Sequence, residues 1–226
     1  MWIKIKKFFL DLFFPIRCFG CGREGFFLCQ NCSDGIPLLI PSSFANPCPH
    51  LDKILAAFDY HHPLIKKSVK TMKYPPYAYF LSENLGRLLI KYLKIEDSYS
   101  GAVSYLTRNN FVLMPIPIFK QKLNWRGFNQ SELLAKELSQ EFNWPLNSKL
   151  LKKTENNQSQ TNLNARQRKT NIKNVFAVAK SFKNALPKNI ILVDDVLTTG
   201  ATLEEAAKTL RRAGVKEIWG IVLAKE

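Results

Sequence analysis

Residues 190–202, Ile-Ile-Leu-Val-Asp-Asp-Val-Leu-Thr-Thr-Gly-Ala-Thr, constrain the fold more than any other part of the chain. Four consecutive aliphatics without polar alternation predict a strand covered on both faces, as in a parallel sheet. Two adjacent carboxylates, Asp194 and Asp195, fall where that strand should end. A loop of small and hydroxyl residues then opens a helix marked by Leu203, Ala206, Ala207 and Leu210. This order predicts a phosphate site. The N–H groups of Thr198, Thr199, Gly200, Ala201 and Thr202 turn inward, threonine hydroxyls add donors, and the helix start adds positive potential. A ribose phosphate fits such a site, with Asp194 and Asp195 accepting hydrogen bonds from vicinal hydroxyls or holding a hydrated Mg²⁺. The plainer reading is a strand-to-helix connection with no ligand, but two acids against an apolar strand end are costly unless a cation or hydroxyl uses them. Gly214 closes the helix, and the apolar residues 218–223 complete a βαβ unit.

Upstream, Val112-Leu113-Met114-Pro115-Ile116-Pro117 predicts a strand ended by prolines. A basic loop with Lys120, Lys122 and Arg126 follows, and Asn129 and Glu132 stand at capping-box spacing before Leu133, Leu134 and Leu138, so a helix begins at Asn129. Cations ahead of a helix start make Ile116, Pro117, Lys120, Lys122, Arg126, Gly127, Asn129 and Gln130 a candidate pyrophosphate site; a solvated basic loop is the alternative. His61 and His62 lack a catalytic partner and read as surface or packing residues.

Four of the five cysteines, Cys18, Cys21, Cys29 and Cys32, form two Cys-x-x-Cys pairs. That spacing points two tight turns of thiolates at one tetrahedral zinc. Two disulfides, or free thiols with no role, are the alternatives, and bridges are disfavoured in the reducing compartment expected of a chain with no readable signal peptide. So small a module needs its metal to fold, which makes the zinc structural. Cys48, in Pro-Cys-Pro-His, reads as a loop thiol or the remnant of another half-site. Residues 1–14 predict an amphipathic helix whose Phe-rich face packs on the main domain or lies on a membrane surface. The expected division is 1–50 for helix, zinc module and linker, and 51–226 for the main domain.

With 226 residues, 46% of them hydrophobic, the chain can bury a core. No stretch reaches the roughly 20 apolar residues of a membrane-spanning helix. Lysines and arginines number 33 against 18 acids, a formal charge of +15 that suits a polyanionic partner. Trp125, Phe128, Tyr74, Tyr77 and Tyr79, interleaved with basic residues, are candidates for stacking on bases.

The segment 190–202 resembles the phosphoribosyl pyrophosphate (PRPP) motif of type I phosphoribosyltransferases. The resemblance implies that Asp194 and Asp195 bind the ribose hydroxyls and that the loop binds the 5-phosphate. With Pro115-Ile116-Pro117, Arg126-Gly127-Phe128-Asn129-Gln130, Gln160-x-x-Leu163, Arg168-x-x-Asn171 and the cysteine module, the chain resembles the ComF family over essentially its full length. Lys73-Tyr74 stands where that family tends to carry a Lys-Tyr pair, so Lys73, Gln160, Arg168 and Asn171 join the site residues by resemblance. The departures are Lys153 and Glu155, where relatives often carry arginines, and the region around Cys48, which is shorter than in members with a double ribbon. The fold implied is α/β: a type I phosphoribosyltransferase fold, a mostly parallel sheet flanked by helices, with a small N-terminal zinc ribbon. The resemblance implies a cytoplasmic protein of natural competence that handles single-stranded DNA beside an uptake motor. A transferase moving phosphoribosyl from PRPP, with Mg²⁺, to a nitrogenous base is the second expectation.

Overall fold

The computed structural model describes residues 16–39, 46–75, 77–154, 175–182 and 186–226. A short helix, α1 (Gln30–Asp34), precedes strand β1 (Lys53–Asp59) and the helices α2 (Pro63–Met72), α3 (Ala78–Ser100) and α4 (Ala102–Arg108). Strand β2 (Val112–Pro115) leads through α5 (Lys120–Arg126) into α6 (Gln130–Phe142). Strands β3 (Leu151–Lys153) and β4 (Phe176–Val178) pair antiparallel, and β5 (Asn189–Leu197), α7 (Ala201–Arg212) and β6 (Glu217–Lys225) complete the chain.

The main sheet has the order β1-β6-β5-β2, every pair parallel. The unbroken aliphatic run of β5 is explained by what covers each face. Side chains alternate along a strand, so Ile191 and Val193 join Leu55, Leu113 and Ile221 in the layer that also holds α3 residues Leu85 and Leu89 and α6 residue Leu134. Ile190 and Leu192 join Met114, Ile218 and Val222 against Leu203, Ala206, Ala207 and Leu210 of α7. Both faces are dry, which is why no polar residue interrupts the run. This is the expected α/β fold: a mostly parallel sheet with helices on both sides.

Three local expectations need correction. The β5 ladder does not stop at Val193: β2 leaves it there, but pairing with β6 continues through Asp194, Val196 and Leu197. The acid pair therefore sits inside a strand whose far neighbour has ended, not beyond it. The basic loop is the helix α5, closed by Gly127 at φ +80°. Asn129 does cap α6, its side chain accepting from Ser131 N at 3.1 Å, but Glu132 pairs with Lys136 at 3.4 Å in place of the reciprocal capping-box bond.

The cysteine module shares the core of the sheet domain, since Phe27, Leu28 and Ile36 lie in the same apolar layer as Leu81 and Leu85. The Phe27 and Tyr77 rings meet edge-on at 5.2 Å, Lys67 lies 4.5 Å over Phe19, and Lys91 pairs with Asp34 at 2.7 Å. No helix among the described residues is long and apolar enough to cross a membrane. The N-terminal residues 1–14, and Glu155, Gln160, Arg168 and Asn171, lie outside the described residues.

Candidate functional site

The acid pair is gripped from two helices. Ser131, in the first turn of α6, donates its hydroxyl to Asp194 Oδ1 at 2.8 Å, and the same oxygen accepts from Asp195 N at 2.9 Å. Lys73, the residue that ends α2, places its Nζ 2.9 Å from Asp195 Oδ2. The sheet thus supplies two carboxylates and the helices supply one donor each. Lys73 was placed here by resemblance alone, and its physical task is to balance a buried acid. Ser131 was missed: nothing in the sequence links it to an acid 63 positions away.

Burial, reinforced by the neighbouring Asp195 charge, pushes the Asp194 carboxyl up to about 7 against the pull of Ser131, the Asp195 N–H and Lys73. Burial would lower the Lys73 ammonium, but Asp195, with Asp194 and Tyr60 behind it, outweighs that and leaves it above its ordinary value. A pH dependence follows. The folded state holds the Asp194 proton more tightly than the unfolded chain does, so stability from this group is full below about pH 4 and is lost as pH rises through about 7. Asp194→Asn, which keeps an acceptor for Ser131, should exceed the parent in stability by about 1 kcal/mol or more at pH 8 and by little at about pH 4. Denaturant midpoints at the two pH values check this; an equal difference at both would contradict it.

Across from the acids the chain turns into α7 through Gly200, at φ +76°. A side chain there would also strike its neighbours, with a Cβ 2.6 Å from Cys48 Sγ and 3.1 Å from Pro47 Cγ. Asp194, Thr198, Gly200, Ala201 and Thr202 line one cleft, and Thr199 turns its Oγ1 to the Ala201 N–H at 3.4 Å. The opening N–H groups of α7 have no intrahelical acceptors, so the cleft carries the donor character a phosphate needs. Cys48 is 0% exposed and donates to Gly200 O at 3.3 Å, and His50 N donates to Glu204 Oε2 at 3.1 Å. This segment braces the loop from behind, and Cys48 is not among the four clustered thiols.

On the remaining side, Asn129 Nδ2 donates to Ile116 O at 3.0 Å and ties the end of β2 to the start of α6. Arg126 Nη1 donates to Gln130 Oε1 at 2.5 Å, while burial lowers the guanidinium against the pull of Asp195 and Tyr74. Ile116, Asn129 and Gln130 are buried, Pro117 and Arg126 half-buried, and Lys120, Lys122 and Gly127 exposed. Trp125 is 70% exposed beside Tyr74, ring centroids 6.5 Å apart, and Tyr79 is also exposed. Phe128 is 6% exposed and packs with Ala78 and Leu133, so it is not free to stack on a base.

The Sγ atoms of Cys18, Cys21, Cys29 and Cys32 all lie within 4.8 Å of one another, and none is in a disulfide. The Cys21–Cys29 separation of 3.6 Å matches the roughly 3.8 Å edge of a tetrahedron with about 2.3 Å metal–sulfur bonds. Burial would raise Cys18, yet the N–H groups of Cys21, Cys29 and Gly20 bring it down to about 6. Hydrogen bonding with Cys29, then burial, pushes Cys32 up to about 12. Four convergent thiols fit a metal such as zinc.

A parallel sheet carrying an acid pair opposite a glycine-started helix defines a phosphoribosyltransferase-type protein, and the model of the phosphoribosyl transferase domain matches residues 129–226. Competence protein F of Haemophilus influenzae is 32% identical over 216 residues, spanning 92% of this chain and 90% of that protein. DNA utilization protein YhgH of Salmonella typhimurium is 28% identical over 208 residues, 89% of this chain and 86% of that protein. Competence protein ComFC of Bacillus subtilis is 38% identical over 105 residues, 46% of this chain and 40% of that protein. The chain belongs to the ComF family.

Proposed function

We propose that the protein binds PRPP with Mg²⁺ in the cleft between Asp194, Asp195 and the loop Thr198 to Thr202, and that it handles single-stranded DNA during natural transformation. The observation that carries the pocket is the acid pair itself: two adjacent carboxylates, Asp194 half-buried, held by Ser131 and lining the cleft at the start of α7, and Asp195 buried beside it and paired with Lys73. Bound Mg²⁺ would supply charge neutralisation for the diphosphate and would be held through Asp194 and Asp195. The loop residues bind the 5-phosphate, Asp194 and Asp195 take the ribose hydroxyls, and Arg126 with Lys120 and Lys122 faces the pyrophosphate. The names of the relatives, competence protein and DNA utilization protein, support the DNA role. So do the charge of +15 and the exposed Trp125 and Tyr74 beside basic α5. The same reading gives the four thiols a structural zinc and the protein a cytoplasmic place beside an uptake motor. A peripheral membrane contact through residues 1–14 belongs to the same reading.

Transfer of phosphoribosyl to a nitrogenous base is the second reading, favoured by the complete acid pair. It asks for no protein nucleophile: negative charge beneath the ribose and positive charge around the departing pyrophosphate lower the barrier electrostatically. The DNA reading is tested by the salt dependence of oligothymidylate binding. Reversing charge at Lys122 and Arg126 together should reduce the log–log salt slope by about 1.4, at roughly 0.7 per phosphate contact on single strands. An unchanged slope would move the contact surface away from α5.

A further inference from the structure

Beside the acid pair lies a second cavity, of about 630 Å³, between α5, the segment after β2, the β3 strand and residues 179–182. Its chemistry is two-sided. Four lysines, Lys120, Lys149, Lys152 and Lys153, line it together with apolar Leu123 and Phe182, and among the described residues no carboxylate does. Lys153 connects this cavity to the acid pair, because it is half-buried and lies within electrostatic reach of both Asp194 and Lys122. The charge demands an anion. The volume and the apolar surface demand more than one, since a bare pyrophosphate would leave Leu123 and Phe182 uncovered and much of the space unfilled. The volume falls in the range of pockets that hold drug-sized organic ligands, roughly 300–1,000 Å³.

We propose that this cavity is a second nucleotide subsite, taking a nucleoside monophosphate unit with its base against Leu123 and Phe182 and its phosphate on Lys149 and Lys152. It rests on the sugar-phosphate reading of Asp194 and Asp195, which it extends by one unit: what occupies the cavity neighbours the ribose phosphate in the acid-pair cleft. The unit is either a free nucleotide or one residue of a single strand, and the same phosphate-plus-base chemistry serves both. Lys153, standing where relatives often carry arginine, is the point where the two sites meet.

The test is titration of the full chain with dAMP, with a short oligothymidylate, and with PRPP plus Mg²⁺. Each is measured on the parent, on the double variant Lys149→Gln with Lys152→Gln, and on Phe182→Ala. Both lysines are solvent-exposed, so their replacement leaves the fold intact. Losing two phosphate contacts made by solvent-exposed lysines, each weakened by screening, should weaken dAMP about ten-fold, Phe182→Ala should weaken it less, and PRPP binding should not change. Oligothymidylate weakened in parallel assigns the cavity to a strand; oligothymidylate unchanged while dAMP weakens assigns it to a free nucleotide. Unchanged affinity for both probes in the lysine variant overturns the proposal. So does a lysine variant that loses PRPP as strongly as dAMP, because the cavity would then serve the pyrophosphate. A parent that binds dAMP through these lysines but does not bind PRPP would overturn the acid-pair reading and the adjacency with it, and leave the subsite standing alone.

Discussion

Protein purified without chelator should carry about one zinc per chain, and Cys21→Ser should lose it and unfold more than the module that holds it. Small zinc modules draw most of their folding free energy from the metal. Here the consequence spreads, because Phe27, Leu28 and Ile36 complete the same apolar layer as Leu81 and Leu85 of α3. A module that opens strips cover from α2 and α3 and frees Tyr77 from Phe27, close in sequence to Lys73. We expect proteolytic cleavage within residues 17–36, and a fall in thermal midpoint on the order of 10 °C, several kcal/mol for a chain of this size. Metal-free protein of equal protease resistance and equal midpoint would contradict the metal's structural role.

The second large effect belongs to the acid pair. Asp194→Asn combined with Asp195→Asn removes both charges and nearly preserves shape. Charge-assisted contacts contribute about 1.5–3 kcal/mol each, so PRPP with Mg²⁺ should bind a hundred-fold or more weakly. Inorganic phosphate should bind equally well or better, since the donors of Thr198 to Thr202 remain and repulsion is reduced. The fold should survive, because the cost of holding a charge at half-buried Asp194 is removed and Lys73, 33% exposed, keeps access to water. Parental PRPP affinity in the folded variant would refute the assignment of these residues.

What could be read from the sequence was what is local. The aliphatic run of β5, the adjacent acids, the Thr-Thr-Gly turn and the cysteine spacing each express a requirement satisfied within a dozen residues or so, and the structure keeps all of them. The contacts that finish the site are distant in sequence. Ser131 reaches Asp194 and Lys73 reaches Asp195 only because α2 ends and α6 begins beside the acids of β5, an interior strand of the sheet. The Cys48 and His50 brace behind Gly200 is of the same kind, linking partners more than 150 positions apart. Helix α5 buries no residue, so no apolar period marks it in the sequence. The basic neighbours that make Phe128 a stacking candidate do not disclose that Ala78 and Leu133 cover it. The module's packing on α3 was equally invisible, since Phe27 and Ile36 show no period that names their partners.

The most direct test of the central claim is calorimetric titration of the intact chain with PRPP, with and without Mg²⁺. The acid pair, the start of α7 and basic α5 predict saturable binding of about one PRPP per chain that strengthens markedly when Mg²⁺ is present. No binding in either condition, or binding indifferent to Mg²⁺ and to the loss of Asp194 and Asp195, would contradict the account.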